Sequence, residues 1–158
     1  MSAPVTTDSV WKEVEKRSFA VLAMVTPKEE ARTAGIVYTT QDRRLYIGTA
    51  RDSFKAKWIE ANPSVSLTVT IPKRIPFVPF VPIPAATITF QGDASVISVD
   101  EADERAVAAL FRGLELDAAE EQHCLIRIDP KGRFLTYGVG VPLLTMRTPA
   151  KARGAAAV

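Results

Sequence analysis

The chain has 158 residues, 20 Lys and Arg against 18 Asp and Glu for a net charge of +2, one histidine and one cysteine. That length fits one domain with a core of ordinary size, and the near-balanced charge excludes a general nucleic-acid binder, which shows a basic face or stripe with stacking aromatics. A single cysteine and a single histidine exclude an intrachain disulfide framework and the usual zinc ligand sets.

No run approaches the ~20 apolar residues needed to span a bilayer. The opening MSAPVTTDSVWKEVEKR has no apolar stretch flanked by positive charge, so a cytoplasmic, reducing location is expected. Residues 8–17 read as a helix capped by Asp8 or Ser9, with Val10, Val14 and Trp11 pointing inward. The pattern then turns β. Phe19 to Thr26, Thr33 to Thr40 and Arg44 to Thr49 are strand candidates joined by the polar turns PKEEAR and QDRR, the spacing of an antiparallel meander.

A helix over 53–61 follows, capped by Asp52 or Ser53, with Phe54, Trp58 and Ile59 at helical spacing; Asn62-Pro63 stops it, because the residue before proline is pushed out of the α region. Val65 to Ile71 and Ala86 to Ile97 read as strands, the second with a bulge at Gly92. An amphipathic helix starts at Asp100 and ends before Gly113. Cys124 to Ile128 and Phe134 to Val139 complete the strands, and 146–158 reads as a C-terminal tail. The prediction is an α+β, mainly β domain over 1–158, with about six to seven antiparallel strands and two or three short helices. Periodicity alone leaves a sandwich, an open sheet and a barrel equally open.

The segment 72–84, PKRIPFVPFVPIP, holds five of the 11 prolines together with Ile75, Phe77, Val78, Phe80, Val81 and Ile83. Proline lacks the amide donor and fixes φ, so this apolar insertion is neither a helix nor a central strand. So much apolar surface must lie against something: the chain's own core, a second subunit that it packs on, a hydrophobic substrate beside a cofactor groove, or a membrane surface.

Several familiar sites are absent: there is no Walker-type phosphate loop, no G-x-G-x-x-G after a strand and no G-x-S-x-G elbow. A catalytic triad would need His123, which neighbours Cys124 on a strand where successive side chains face opposite ways. Alternation sets Cys124, Ile126 and Ile128 on the more apolar face, making Cys124 a core residue, and His123 with Leu125 and Arg127 on the other. No catalytic residue and no metal ligand is assigned.

Residues 44–67, RLYIGTARDSFKAKWIEANPSVSL, carry the functional signal. An apolar strand runs into a cationic, hydroxyl-rich turn that opens a helix, where unpaired amides and the dipole favour an anion. Thr49 and Ser53 supply hydroxyls; Arg51, Lys55 and Lys57 supply charge. The same residues also suit an ordinary solvated, basic strand–helix connection. The segment resembles the pyridoxamine-phosphate oxidase-like superfamily, the FMN-binding split barrel. Thr49, Ser53, Lys55, Asn62, Pro63, Val65, Ser66 and Leu67 match its pattern, while Ala50 replaces Asn and Phe54 replaces Arg.

The resemblance implies a split β-barrel that forms a homodimer with FMN in a groove at the subunit interface, the cofactor supplying the chemistry. It implies that Thr49, Ala50, Arg51, Ser53 and Lys55 hold the phosphate and ribityl end. Thr33, Ala34, Gly35, Ile36 and Val37 would lie along the isoalloxazine, with Arg32 one place before them also at the cofactor, and Thr87 stands where the family has a glutamine. Thr33 stands where the true oxidases carry arginine, and Arg133 to Val141 lack their substrate-binding Arg and His, so vitamin B6 oxidation is not expected. Three functions follow: an FMN-dependent oxidoreductase acting on a small-molecule redox substrate, a reductase using a deazaflavin coenzyme in the same groove, and a non-catalytic flavin-binding or stress-related protein. Haem, bound by another branch, has only His123 to offer.

Overall fold

The computed structural model describes residues 5–78, 80–112 and 121–158. Its centre is one antiparallel sheet of eight strands: β1 (Phe19–Val25), β2 (Ala31–Val37), β3 (Thr39–Gln41), β4 (Arg44–Ala50), β5 (Ser64–Ile71), β6 (Ala86–Ile97), β7 (His123–Tyr137) and β8 (Arg153–Ala157). The order across the sheet is β2-β1-β5-β6-β7-β4-β3, with β8 paired to β7. Among the described residues the helices are α1 (Thr7–Glu15), α2 (Phe54–Ala61), α3 (Glu104–Leu110) and the short α4 (Pro149–Ala152).

One residue closes the architecture. The expected strand 33–40 breaks at Tyr38, and its two parts, β2 and β3, lie at opposite ends of the strand order. A single residue joins those ends, so the sheet must curl until its edges meet, and no ladder pairs β2 with β4 in the described residues. The result is a split barrel. Tyr38 is buried at the seam, and its hydroxyl donates to the Val14 carbonyl of α1 at 2.7 Å, which satisfies the polar end of a core ring.

Local chemistry explains the turns. Asp42 and Arg43 both have positive φ, 49° and 59°, the signature of the primed two-residue turn whose twist matches a β-hairpin. Thr6, rather than Asp8 or Ser9, caps α1: its side chain accepts from the Ser9 amide, while the Ser9 hydroxyl accepts from the Thr6 amide. Val10, Trp11 and Val14 are buried as expected.

Inside the barrel, Leu22, Leu67, Val69, Ile88, Phe90, Ile126 and Phe134 form the core, with Trp11 edge-on to Phe134 at 5.5 Å. A second cluster lies outside β4 and β7, where α3 packs Val107 and Phe111 over Tyr46 and Leu125. Cys124, Leu125 and Ile126 are therefore all buried, because β7 is covered on both faces there. Simple alternation had put Leu125 on the less apolar face.

Three further expectations change. The strands 124–128 and 134–139 are one strand, since Asp129, Pro130 and Lys131 stay paired with Asp93, Gly92 and Gln91 of β6. The register shift in β6 lies between Thr89 and Gln91, and Gly92 serves close approach: a Cβ there would meet Ile128 Cγ2 at 2.7 Å. Residues 146–158, read as a tail, contain α4 and β8, which pairs with Arg133 to Tyr137. The helix expected from Asp100 begins at Glu104 with Asp103 as its cap, and the Gly113 stop lies outside the described residues.

Candidate functional site

The segment 44–61 folds as strand, turn and helix. Ser53 takes the extended conformation of an N-cap (φ −64°, ψ 149°), and its Oγ accepts from the Ala56 amide at 3.3 Å. Ser53 is thus the cap, and Asp52 is not. Thr49, buried at the end of β4, donates from Oγ1 to the same Ser53 oxygen at 3.0 Å. With both acceptor positions of Oγ used, the Ser53 hydroxyl hydrogen is left to donate to a ligand.

The cap satisfies only part of the first turn. Among the described residues, the Phe54 and Lys55 amides have no acceptor, as expected of the first amides of a helix. These donors, the α2 dipole and the nearby Arg51, Lys55 and Lys57 make a seat suited to a phosphate. Lys55 Nζ stands 4.8 Å from the Phe54 ring centroid, and Phe54 leans on Trp58 at 4.8 Å. The aromatic pair positions the amine without neutralising it.

Beside the seat, the split between the sheet edges opens a cleft of about 440 Å³, within the range of about 300–1,000 Å³ common for small-molecule sites. One wall is β2 at Gly35, Ile36 and Val37, and the other is β4 at Ile47, Gly48, Thr49 and Ala50. Lys55 reaches in from α2. Leu110, Phe111 and His123 complete the lining.

The cleft therefore brings together six residues expected at the site: Gly35, Ile36, Val37, Thr49, Ala50 and Lys55. Ser53 joins them through Thr49. Arg51 is exposed on the turn, its amide donating to the Gln122 carbonyl at 3.0 Å. Arg32, Thr33 and Ala34 lie further along β2, away from the cleft lining; Arg32 pairs with Glu30 at 3.1 Å. Thr87 sits on β6 between Thr70 and Tyr137 and does not line the cleft.

Five lining residues escaped the sequence reading: Ile47, Gly48, Leu110, Phe111 and His123. His123 is the most consequential. It is paired opposite Ala50 and stands edge-on to Phe111 at 5.7 Å. The available signal was register, since a strand antiparallel to β4 and starting near 123 puts His123 beside the end of β4. Cys124 points the other way into the core, where burial pushes its thiol up, opposed by Arg51 and reinforced by Glu60. Among the described residues, no group of His, Cys, Asp and Glu could hold a metal ion. No helix among them is long and apolar enough to cross a membrane.

A family model, Pyridoxamine 5'-phosphate oxidase, matches residues 6–136. No curated protein matches the chain significantly. Among solved structures, an FAD-binding protein from Mesorhizobium loti superposes with a TM-score of 0.61 at 17% identity, covering 84% of this chain and 93% of that one. An F420 reductase gives 0.55 at 18%, covering 78% and 94%. The haem storage protein from Vibrio cholerae gives 0.60 at 17%, covering 86% and 98%. At these identities the structures share the fold alone.

Proposed function

The chain belongs to the pyridoxamine 5'-phosphate oxidase family, and we propose that it is a flavin-dependent oxidoreductase that holds FMN in the β2–β4 cleft and acts on a small molecule. The observation that carries this reading is the junction of the Thr49–Ser53 hydroxyl pair and the open amides of α2 with a cleft walled by β2 backbone and Phe111. The donor set fits a phosphate ester at one end and a flat, apolar ring system at the other.

A bound flavin would supply the electron transfer itself. The chain's part is placement. The Ser53 hydroxyl, the first-turn amides of α2 and Lys55 anchor the phosphate, while the β2 backbone at Gly35 to Val37 lies along the ring. Leu110 and Phe111 keep that end dry, and His123 adds an imidazole to the lining beside Phe111. Arg51 and Lys57 add long-range attraction for the anion. Arg32, Thr33, Ala34 and Thr87 belong to the proposal only in a homodimer, in which residues outside one chain's cleft meet the partner's cofactor. Exposed Phe19, Val37 and Leu135 give the sheet apolar surface for such an interface.

A deazaflavin coenzyme is the second reading, favoured because the seat recognises a phosphate that both cofactors carry, and because an F420 reductase has this fold. Reconstitution with each cofactor followed by turnover decides between them. Retention of FMN through gel filtration, with reduction by a nicotinamide donor, supports the first reading. Retention of the deazaflavin alone supports the second. Retention of FMN without turnover on any acceptor identifies a carrier, and retention of neither defeats both readings.

A further inference from the structure

We propose that the proline-rich loop 72–84 docks the protein onto an anionic bilayer surface. Four surfaces were open to this segment on sequence grounds, and its own core is excluded at the tip. Phe77 is fully exposed, Phe80 is 83% exposed and Val81 is 41% exposed. None of the loop's described residues lines the β2–β4 cleft, so the tip does not serve as a wall for a ligand there.

At the base, the Lys73 amine reaches the Val141 carbonyl at 3.5 Å, which ties the loop to the neighbouring segment 139–148. That segment carries its own exposed apolar residue, Leu144, at 76%. The prolines at 72, 76, 82 and 84 deny the loop a ladder that could fold it back onto the sheet, and Phe77 sits at φ +69° on the outward turn. Two exposed aromatic rings, Phe77 and Phe80, follow Lys73 and exposed Arg74 along the chain.

Charge selects the occupant. Residues 61–92 contain Lys73 and Arg74 and no Asp or Glu, and residues 139–158, which include the segment tied to the loop, contain Arg147, Lys151 and Arg153 and again no Asp or Glu. A second copy packed loop against loop about a two-fold axis would set these cations against like charges, whereas an anionic leaflet offers phosphates at headgroup depth beneath which the rings can sit. Phe is among the apolar residues that surface-bound elements bury at the headgroup–acyl boundary. Such a contact would be peripheral and salt-sensitive.

The test is co-sedimentation of the full chain with phosphatidylcholine vesicles and with vesicles in which phosphatidylserine replaces a quarter of the lipid. The expected result is partition about tenfold stronger onto the anionic vesicles, lost in high salt. F77S/F80S should reduce it about tenfold or more, and Arg74→Gln about fivefold. A Phe77→Trp chain, which keeps the apolar tip, should shift its emission to the blue on anionic vesicles only. Equal partition onto both vesicle types, unchanged partition of F77S/F80S, or no emission shift overturns the proposal. Sedimentation velocity without lipid adds one more outcome: dissociation by F77S/F80S of an assembly that the wild type forms, without wild-type vesicle binding, assigns the loop to a second copy instead.

Discussion

Thr49 and Ser53 share a hydrogen bond of 3.0 Å, from the last buried hydroxyl of β4 to the capping hydroxyl of α2. The bond fixes the angle at which strand hands over to helix, and with it the direction of the amides offered to a ligand. In the proposed function cap and phosphate seat are the same atom, and chemistry can separate the two roles.

Ser53→Ala should lower stability by about 1 kcal/mol through loss of the cap and weaken phosphate-ligand binding at the same time. Ser53→Asp retains a good cap while placing a negative charge in the seat, so its stability should stay close to wild type while FMN binding collapses. Thermal melts and cofactor titrations on the two variants check this; equal FMN affinity in wild type and Ser53→Asp would detach the cap from the site.

Gly92 tests the fold. Its missing Cβ leaves room for Ile128 Cγ2, which would lie 2.7 Å away, and for the Asp129 carbonyl at 3.1 Å. Gly92→Ala should therefore cost about 1–3 kcal/mol through overpacking between β6 and β7. Denaturant unfolding measures it, and a variant as stable as wild type would show that the two strands are not held this closely.

Much of this architecture was legible in the sequence because its signals were local. Alternating apolar runs gave most strands, and Ser53 with Asn62-Pro63 bracketed α2 to within a residue. What escaped was set by distant partners. β8 is built from Arg153, Gly154 and three alanines, which have little strand preference, and it is a strand because small residues fit against Thr136 and Val5. Leu125 is buried because α3 covers that side of β7, which alternation within one strand does not reveal. His123 reaches the cleft through its register with Ala50, a pairing between segments more than seventy residues apart.

Cys124 gives a pH dependence with a defined sign. Burial raises its thiol above the ordinary value of 9.0, with Arg51 opposing and Glu60 adding to the shift. The folded chain therefore holds the proton more tightly than the unfolded one. Stability from the neutral thiol is fully present below pH 9 and declines as pH rises through the ordinary value toward the raised one. The stability gap between wild type and Cys124→Ala, followed in guanidinium from pH 7 to 10, should narrow at the alkaline end. Cofactor loading should be equal in the two proteins. A gap that widens with pH, or loss of cofactor in the variant, would contradict a buried, chemically silent thiol.

The central claim is that the turn opening α2 recognises a phosphate. Binding of FMN and of riboflavin, which differ only in that group, measures it most directly when each is titrated into wild type and Lys55→Ala. The account predicts that wild type prefers FMN by about tenfold to a hundredfold, the worth of a charge-assisted contact set of about 1.5–3 kcal/mol, and that Lys55→Ala loses most of this preference while its riboflavin affinity is unchanged. Equal affinity of wild type for the two ligands, or an undiminished preference in Lys55→Ala, would contradict it.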